Sequence, residues 1–183
     1  MFRTLLVVVP FLCSIPQWAR ACWDEVAQRR GVPADLLYAI ARVESGLDPK
    51  AVNRSHFKRT GSIDIGLMQI NSRHLPELSR HGITQASLFD PCTNLDVGAW
   101  LLADLFSRKG LSWDSVGAYN AACTRLKGDE CLKARARYAW KVYRHLPANR
   151  RAGQASRPQP AFQTRSQTVS PLAPVLVAVR VTP

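Results

Sequence analysis

Glu44 is the residue whose type and position first suggest chemistry. It follows Leu37 by seven residues and Ile40 by four, so a helix through this stretch puts all three on one face. A carboxylate that ends an apolar stripe either turns out to solvent or sits in a half-apolar cleft. The cleft disfavours the charged form and raises the pKa. A carboxyl kept neutral near physiological pH can donate a proton to a departing oxygen, which is general-acid work. Asp64 lies twenty residues downstream and offers a second carboxylate. His56, His74, His81 and His145 show no metal-ligand spacing and read as surface residues. The cysteines lack a C-x2-C pair, so no metal or cofactor is expected. The chain also lacks a glycine-rich phosphate loop and a Ser–His–Asp arrangement.

The elements that must position Glu44 read as helices. Leu36, Leu37, Ile40 and Val43 form a stripe in a helix that opens near Pro33 and stops at Gly46, the expected punctuation at each end. Leu95, Ala99, Leu102 and Phe106 mark a second helix, closed by Gly110. Ser112 is placed to cap a third, which carries Trp113, Val116 and Tyr119. Leu132, Ala136, Ala139 and Tyr143 mark the last. A small two-stranded hairpin fits between Asn53 and Ile65. The fold class is all-α, with at most this minor β element.

Residues 1–21 read as a secretory leader. Arg3 gives a short positive start, Leu5 to Cys13 an apolar run broken by Pro10, and Ala19-Arg20-Ala21 the small residues that signal peptidase reads. Export with cleavage near Ala21 would leave Cys22 first. Arg20 disfavours a lipoprotein signal. The globular domain runs over 22–146. Residues 147–183 are rich in Pro, Arg, Gln and Ser and read as a disordered basic tail. Removing the leader discards Cys13 and leaves Cys22, Cys92, Cys123 and Cys131. Four cysteines in an exported domain suggest two disulfides with three connectivities. Cys123 with Cys131 would close a small loop, and Cys22 with Cys92 would then tie the N-terminus to mid-domain. The net charge of +12 would draw an exported protein to wall carboxylates or anionic lipid. Nucleic acid, the partner it would suggest for a cytosolic chain, is not expected.

Three short motifs occur in order: Glu44-Ser45-Gly46, Gly66-Leu67-Met68-Gln69-Ile70-Asn71 and Ala118-Tyr119-Asn120-Ala121. Together they resemble the soluble lytic transglycosylases, a lysozyme-like family that cuts the glycan strands of peptidoglycan. The size and leader look most like the small members that serve conjugation, pilus and type III secretion machines. The resemblance implies a lysozyme-like domain, Glu44 as the single catalytic acid/base, and a periplasmic location. It implies a hydroxyl of Tyr119 pointing to that glutamate, and Met68 and Gln69 lining the sugar cleft, although Met68 reads almost as well as a core residue. Gln69 offers an amide for an acetamido group or hydroxyl. Asn71 would contact sugar or cap the next turn, and Asn120 would secure local backbone. Asp64 would orient the loop around Glu44. Were it instead to activate water, the enzyme would be a hydrolytic lysozyme, and a third reading is a non-catalytic glycan-binding assembly factor. The family pattern often continues with glycine after Ala121. Here Ala122-Cys123 follows.

Overall fold

The computed structural model describes residues 17–148, with side chains from residue 22. Most of the expected leader (1–16) and nearly all of the expected tail (149–183) lie outside the described residues.

Seven α-helices and one small sheet make up the regular structure of the described residues, with short 3-10 turns between them. The helices are α1 (Gln17–Arg30), α2 (Ala34–Glu44), α3 (Phe57–Thr60), α4 (Leu75–Leu78), α5 (Pro91–Lys109), α6 (Trp113–Asn120) and α7 (Gly128–His145). The sheet is an antiparallel run of three two-residue strands, β1 (Val52–Asn53), β2 (Asp64–Ile65) and β3 (Ile70–Asn71). Val52 pairs with Ile65, and Asp64 with both Asn53 and Asn71. The expected hairpin therefore gains a third strand. Two residues are too few to display alternation, so β3 left no periodic signal.

The helix boundaries follow from the caps. Asp90 accepts a hydrogen bond from the Thr93 N–H at 2.8 Å, with Pro91 in the first turn of α5. Ser112 caps α6 through the Ser115 N–H at 3.2 Å. Gly46, at φ +66°, takes the chain out of α2 through a left-handed turn that favours glycine. Leu37 and Ile40 of α2 are fully buried beside Ile65, Met68, Ile70, Leu95 and Leu102. Each such side chain contributes about 1.5–3 kcal/mol. The last helix buries Ala139 and partly buries Tyr143 as expected, but its buried face is shifted from the one expected at its start. Tyr138, Ala139 and Val142 are buried, whereas Leu132 is 56% exposed and Ala136 is also exposed.

Two features fix the loop between β2 and β3. Asn94 of α5 is fully buried and satisfied: it accepts from the Met68 N–H at 2.7 Å and donates to the carbonyls of Ile65 and Leu88 at 2.9 and 2.7 Å. Gly66 sits against it at φ +74°, where a Cβ would lie 2.3 Å from the Asn94 Nδ2 and 2.5 Å from the Leu88 carbonyl oxygen. Glycine is needed on both counts.

The four cysteines pair as Cys22 with Cys92 and Cys123 with Cys131, at Cα separations of 5.8 and 5.6 Å. The first ties α1 to α5. Asp96 of α5 joins the same two helices by accepting from Arg30 at 2.6 Å and from Arg29 at 3.1 Å.

Candidate active site

Glu44 is the last residue of α2 and reaches α7, against which α2 packs. There Tyr138 donates its phenolic proton to the Glu44 Oε1 at 2.5 Å. The next residue, Ser45, donates its hydroxyl to the Leu67 carbonyl at 2.8 Å, which pins the end of α2 to the loop before β3. Gly117 lets α6 approach α7 closely, since a Cβ there would meet the Arg135 backbone oxygen at 2.6 Å. Arg135 locks that contact by donating to the Ala121 carbonyl at 3.1 Å and to Asp114 at 2.8 Å.

A cleft of about 260 Å³ opens over Glu44. Val43 and Ala134 give it an apolar part, Asn120 comes from α6, and Arg137, Tyr138 and Lys141 come from α7. Burial of the Glu44 carboxyl is the main reason its pKa is pushed up, to about 7. The Tyr138 hydrogen bond opposes this, Asp64's negative charge adds to it, and Lys141 weakly opposes it. Near neutrality a large share of Glu44 is thus protonated and can give up that proton, and the carboxylate it leaves can take one back. Burial and the neighbouring carboxylates raise both Tyr119 and Tyr138, Tyr119 well above the usual tyrosine value, so both phenols stay protonated.

The other site residues fall into three places. Asp64 lies on β2 in a polar cluster: Asn71 donates to its Oδ1 at 2.7 Å, Asn53 to its Oδ2 at 3.3 Å, and the His56 Nδ1 is 3.6 Å from Oδ2. Asn71 also accepts from the Arg73 N–H at 3.1 Å, so it caps the following turn, and it donates to Ser62. Gln69 takes a positive φ of 51° and donates its amide to the carbonyls of Gly66 and Ala51 at 2.8 and 3.3 Å. Asn120 is exposed at the cleft.

Met68 takes the core reading and not the cleft one. Its side chain is fully buried and packs on Gly98, where a Cβ would lie 2.8 Å away, so it is a core residue and not cleft wall. The Tyr119 hydroxyl donates to the Met68 carbonyl at 3.0 Å, and the phenol that meets Glu44 is that of Tyr138. His56 is not a surface residue either: its side chain is 15% exposed, and its Nε2 is buried with no hydrogen-bond partner.

The sequence profile of the transglycosylase SLT domain matches residues 21–138, well over half of the chain. The chain belongs to this family. It is a lytic transglycosylase with a lysozyme-like fold. It is 40% identical over 141 residues to the invasion protein IagB of Salmonella typhi, covering 76% of this chain and 86% of that one. It is 41% identical over 135 residues to protein IpgF of Shigella flexneri, covering 73% and 84%. The solved structure of an inactive mutant of the lytic transglycosylase Slt from Pseudomonas aeruginosa superposes with a TM-score of 0.56 at 24% identity, over 79% of this chain. That protein is much longer, and the match covers 25% of it. Peptidoglycan is the substrate that membership of the SLT family implies, and it lies outside the cytoplasm.

Sequence reasoning in terms of the SLT motifs missed Tyr138, Arg137 and Lys141. All three come from a helix that carries none of the three motifs. The one available signal was the spacing of Tyr138 from Val142, which places both on the inner face of α7.

Proposed function

We propose that this transglycosylase breaks the β-1,4 bond between N-acetylmuramic acid and N-acetylglucosamine and leaves a 1,6-anhydro end. The protonated Glu44 carboxyl donates its proton to the glycosidic oxygen as the bond from the anomeric carbon to that oxygen breaks. The muramoyl C6 oxygen then bonds to the anomeric carbon, and its proton passes to the Glu44 carboxylate. The enzyme is regenerated and no water is consumed. Two carboxylates are normally needed to cut a glycosidic bond. An internal hydroxyl held close to the reacting carbon replaces the second, with a large entropic advantage.

The observation that carries this reading is the protonatable Glu44 carboxyl in a cleft, with a pKa near 7. Asp64 supports it from a distance. Its oxygens accept hydrogen bonds from Asn53 and Asn71, which suits a residue that holds the sheet loop and tunes Glu44 by its charge. Tyr138 holds the Glu44 carboxyl in place, and Tyr119 supports the loop through the Met68 carbonyl.

The enzyme acts in the periplasm after export and opens the wall locally for a secretion, pilus or conjugation apparatus. The leader pattern ending near Ala21 supports export, and the two cysteine pairs suit an oxidising compartment. The similarity to a protein named for invasion supports the local role. Digestion of purified sacculi, with the muropeptides read by mass spectrometry, tests the chemistry. Anhydro-muropeptides that vanish with Glu44→Gln are the expected result. Reducing ends in their place would make the enzyme a hydrolase.

A further inference from the structure

Arg137 and Lys141 stand one helical turn apart on α7, both exposed and both lining the Glu44 cleft. The arginine ion pairs of the described residues use Arg29, Arg30, Arg108 and Arg135, not Arg137. Lys141 is close enough to oppose the rise in the Glu44 pKa. No ion pair of the described residues joins Glu44 to Arg137 or Lys141, and with a pKa of about 7 Glu44 offsets them only in part near neutrality. The cleft therefore carries two cationic side chains beside an acid that is only partly ionised. The pyranose rings and acetamido groups of a glycan strand are neutral and do not call for them.

We infer that Arg137 and Lys141 form a carboxylate-binding subsite that reads the anionic substituent of the muramoyl residue next to the scissile bond. On a strand stripped of peptides that group is the lactyl carboxylate. On an intact strand it is a carboxylate of the peptide stem. Either places a negative charge beside a sugar held against Glu44, and the two side chains meet it from the same wall. The arginine fork can bind a carboxylate through two parallel hydrogen bonds, and the lysine acts as a mobile point charge. The subsite selects muramoyl-containing strands over neutral polymers with the same backbone linkage. This inference rests on the reading of the cleft as the glycan site but not on the identity of the product.

Binding measured in the Glu44→Gln protein keeps the two separate. Fluorescently labelled strands are titrated in three forms: peptide-bearing, amidase-stripped, and stripped with the lactyl carboxyl converted to a methylamide. Adding Arg137→Gln and Lys141→Gln together should weaken Kd about tenfold for a carboxylate-bearing form. The loss should shrink as salt is raised, and the methylamide strand should change less than about twofold. A loss confined to peptide-bearing strands assigns the stem carboxylate, and a loss on stripped strands assigns the lactyl group. An equal loss on the methylamide form, or no loss on either anionic form, overturns the inference. Unchanged melting of the double variant confirms that the comparison is between folded proteins. Sacculus digestion by the unmutated enzyme reports separately on the reaction, so a failure there leaves this test readable.

Discussion

Glu44 feels the charge of Asp64, yet the surroundings of the two carboxylates are opposite. Glu44 ends a greasy helix, half-buried, with one phenol donating to it and no amide. Asp64 sits on the sheet among donors, with two asparagine amides on its oxygens and His56 beside it. The first setting favours the neutral acid, and the second holds its side chain in place by hydrogen bonds. Under the proposed mechanism the same side-chain chemistry serves once as a proton carrier and once as a structural anchor, a division set by burial and hydrogen bonding. Residue type alone does not reveal that division, and in the sequence only the motifs around the two carboxylates suggested it.

Removing the carrier should have the largest effect. Glu44→Gln should lower kcat/KM on sacculi by roughly 10³-fold or more, whereas Asp64→Asn should not approach that loss. Equal losses would mean that both carboxylates do chemistry and would restore the lysozyme reading.

Stability should shift in the opposite sense. The folded-state pKa of Glu44 is raised from 4.5 to about 7. The native state therefore binds the extra proton, and stability falls as pH rises through this window. The deficit reaches up to about 3 kcal/mol above neutrality, less whatever cleft water screens. Glu44→Gln lacks that penalty while its amide oxygen can still accept from Tyr138. The variant should melt higher than wild type near pH 8, and the gap should close near pH 4. A constant gap across that range would show that Glu44 does not titrate in the window.

A smaller effect is expected from Tyr138→Phe. The hydrogen bond it removes favours the carboxylate, so the alkaline limb of the kcat/KM profile should move to higher pH, with a loss of about tenfold at its plateau. Smallest of all, Asp64→Asn should cost about fivefold or less and move the same limb to lower pH, because Asp64's charge is one of the causes that raise Glu44. Limbs that move in the same direction in both variants would break the contrast between the two regions.

Much of the scaffold was legible in the sequence because caps and stripes are local. Pro33, Gly46, Ser112 and Gly110 each bound a helix as expected, and Glu44 falls on the apolar face of α2. The failures share a non-local cause. Met68 sits within a motif that reads equally as cleft or core, and only its packing on Gly98 decides between them. Tyr138 reaches Glu44 across 94 residues, a distance over which periodicity says nothing. Leu132 and Ala136 have helical spacing, but the inner face of α7 is set by where α2 and α6 lie. His56 reads as a surface residue for want of a metal pattern, and only the fold brings its Nδ1 to 3.6 Å from the Asp64 Oδ2 on β2.

The ionisation of Glu44 itself is the most direct test of the account. Carbon-13 NMR of protein labelled at the glutamate side-chain carboxyls, with the Glu44 signal assigned by its loss in Glu44→Gln, follows that group through a pH titration. A midpoint at about 7 is expected. A midpoint at the ordinary glutamate value of 4.5 would mean an ionised, solvent-like carboxylate at neutral pH, and would contradict the proton-donor role.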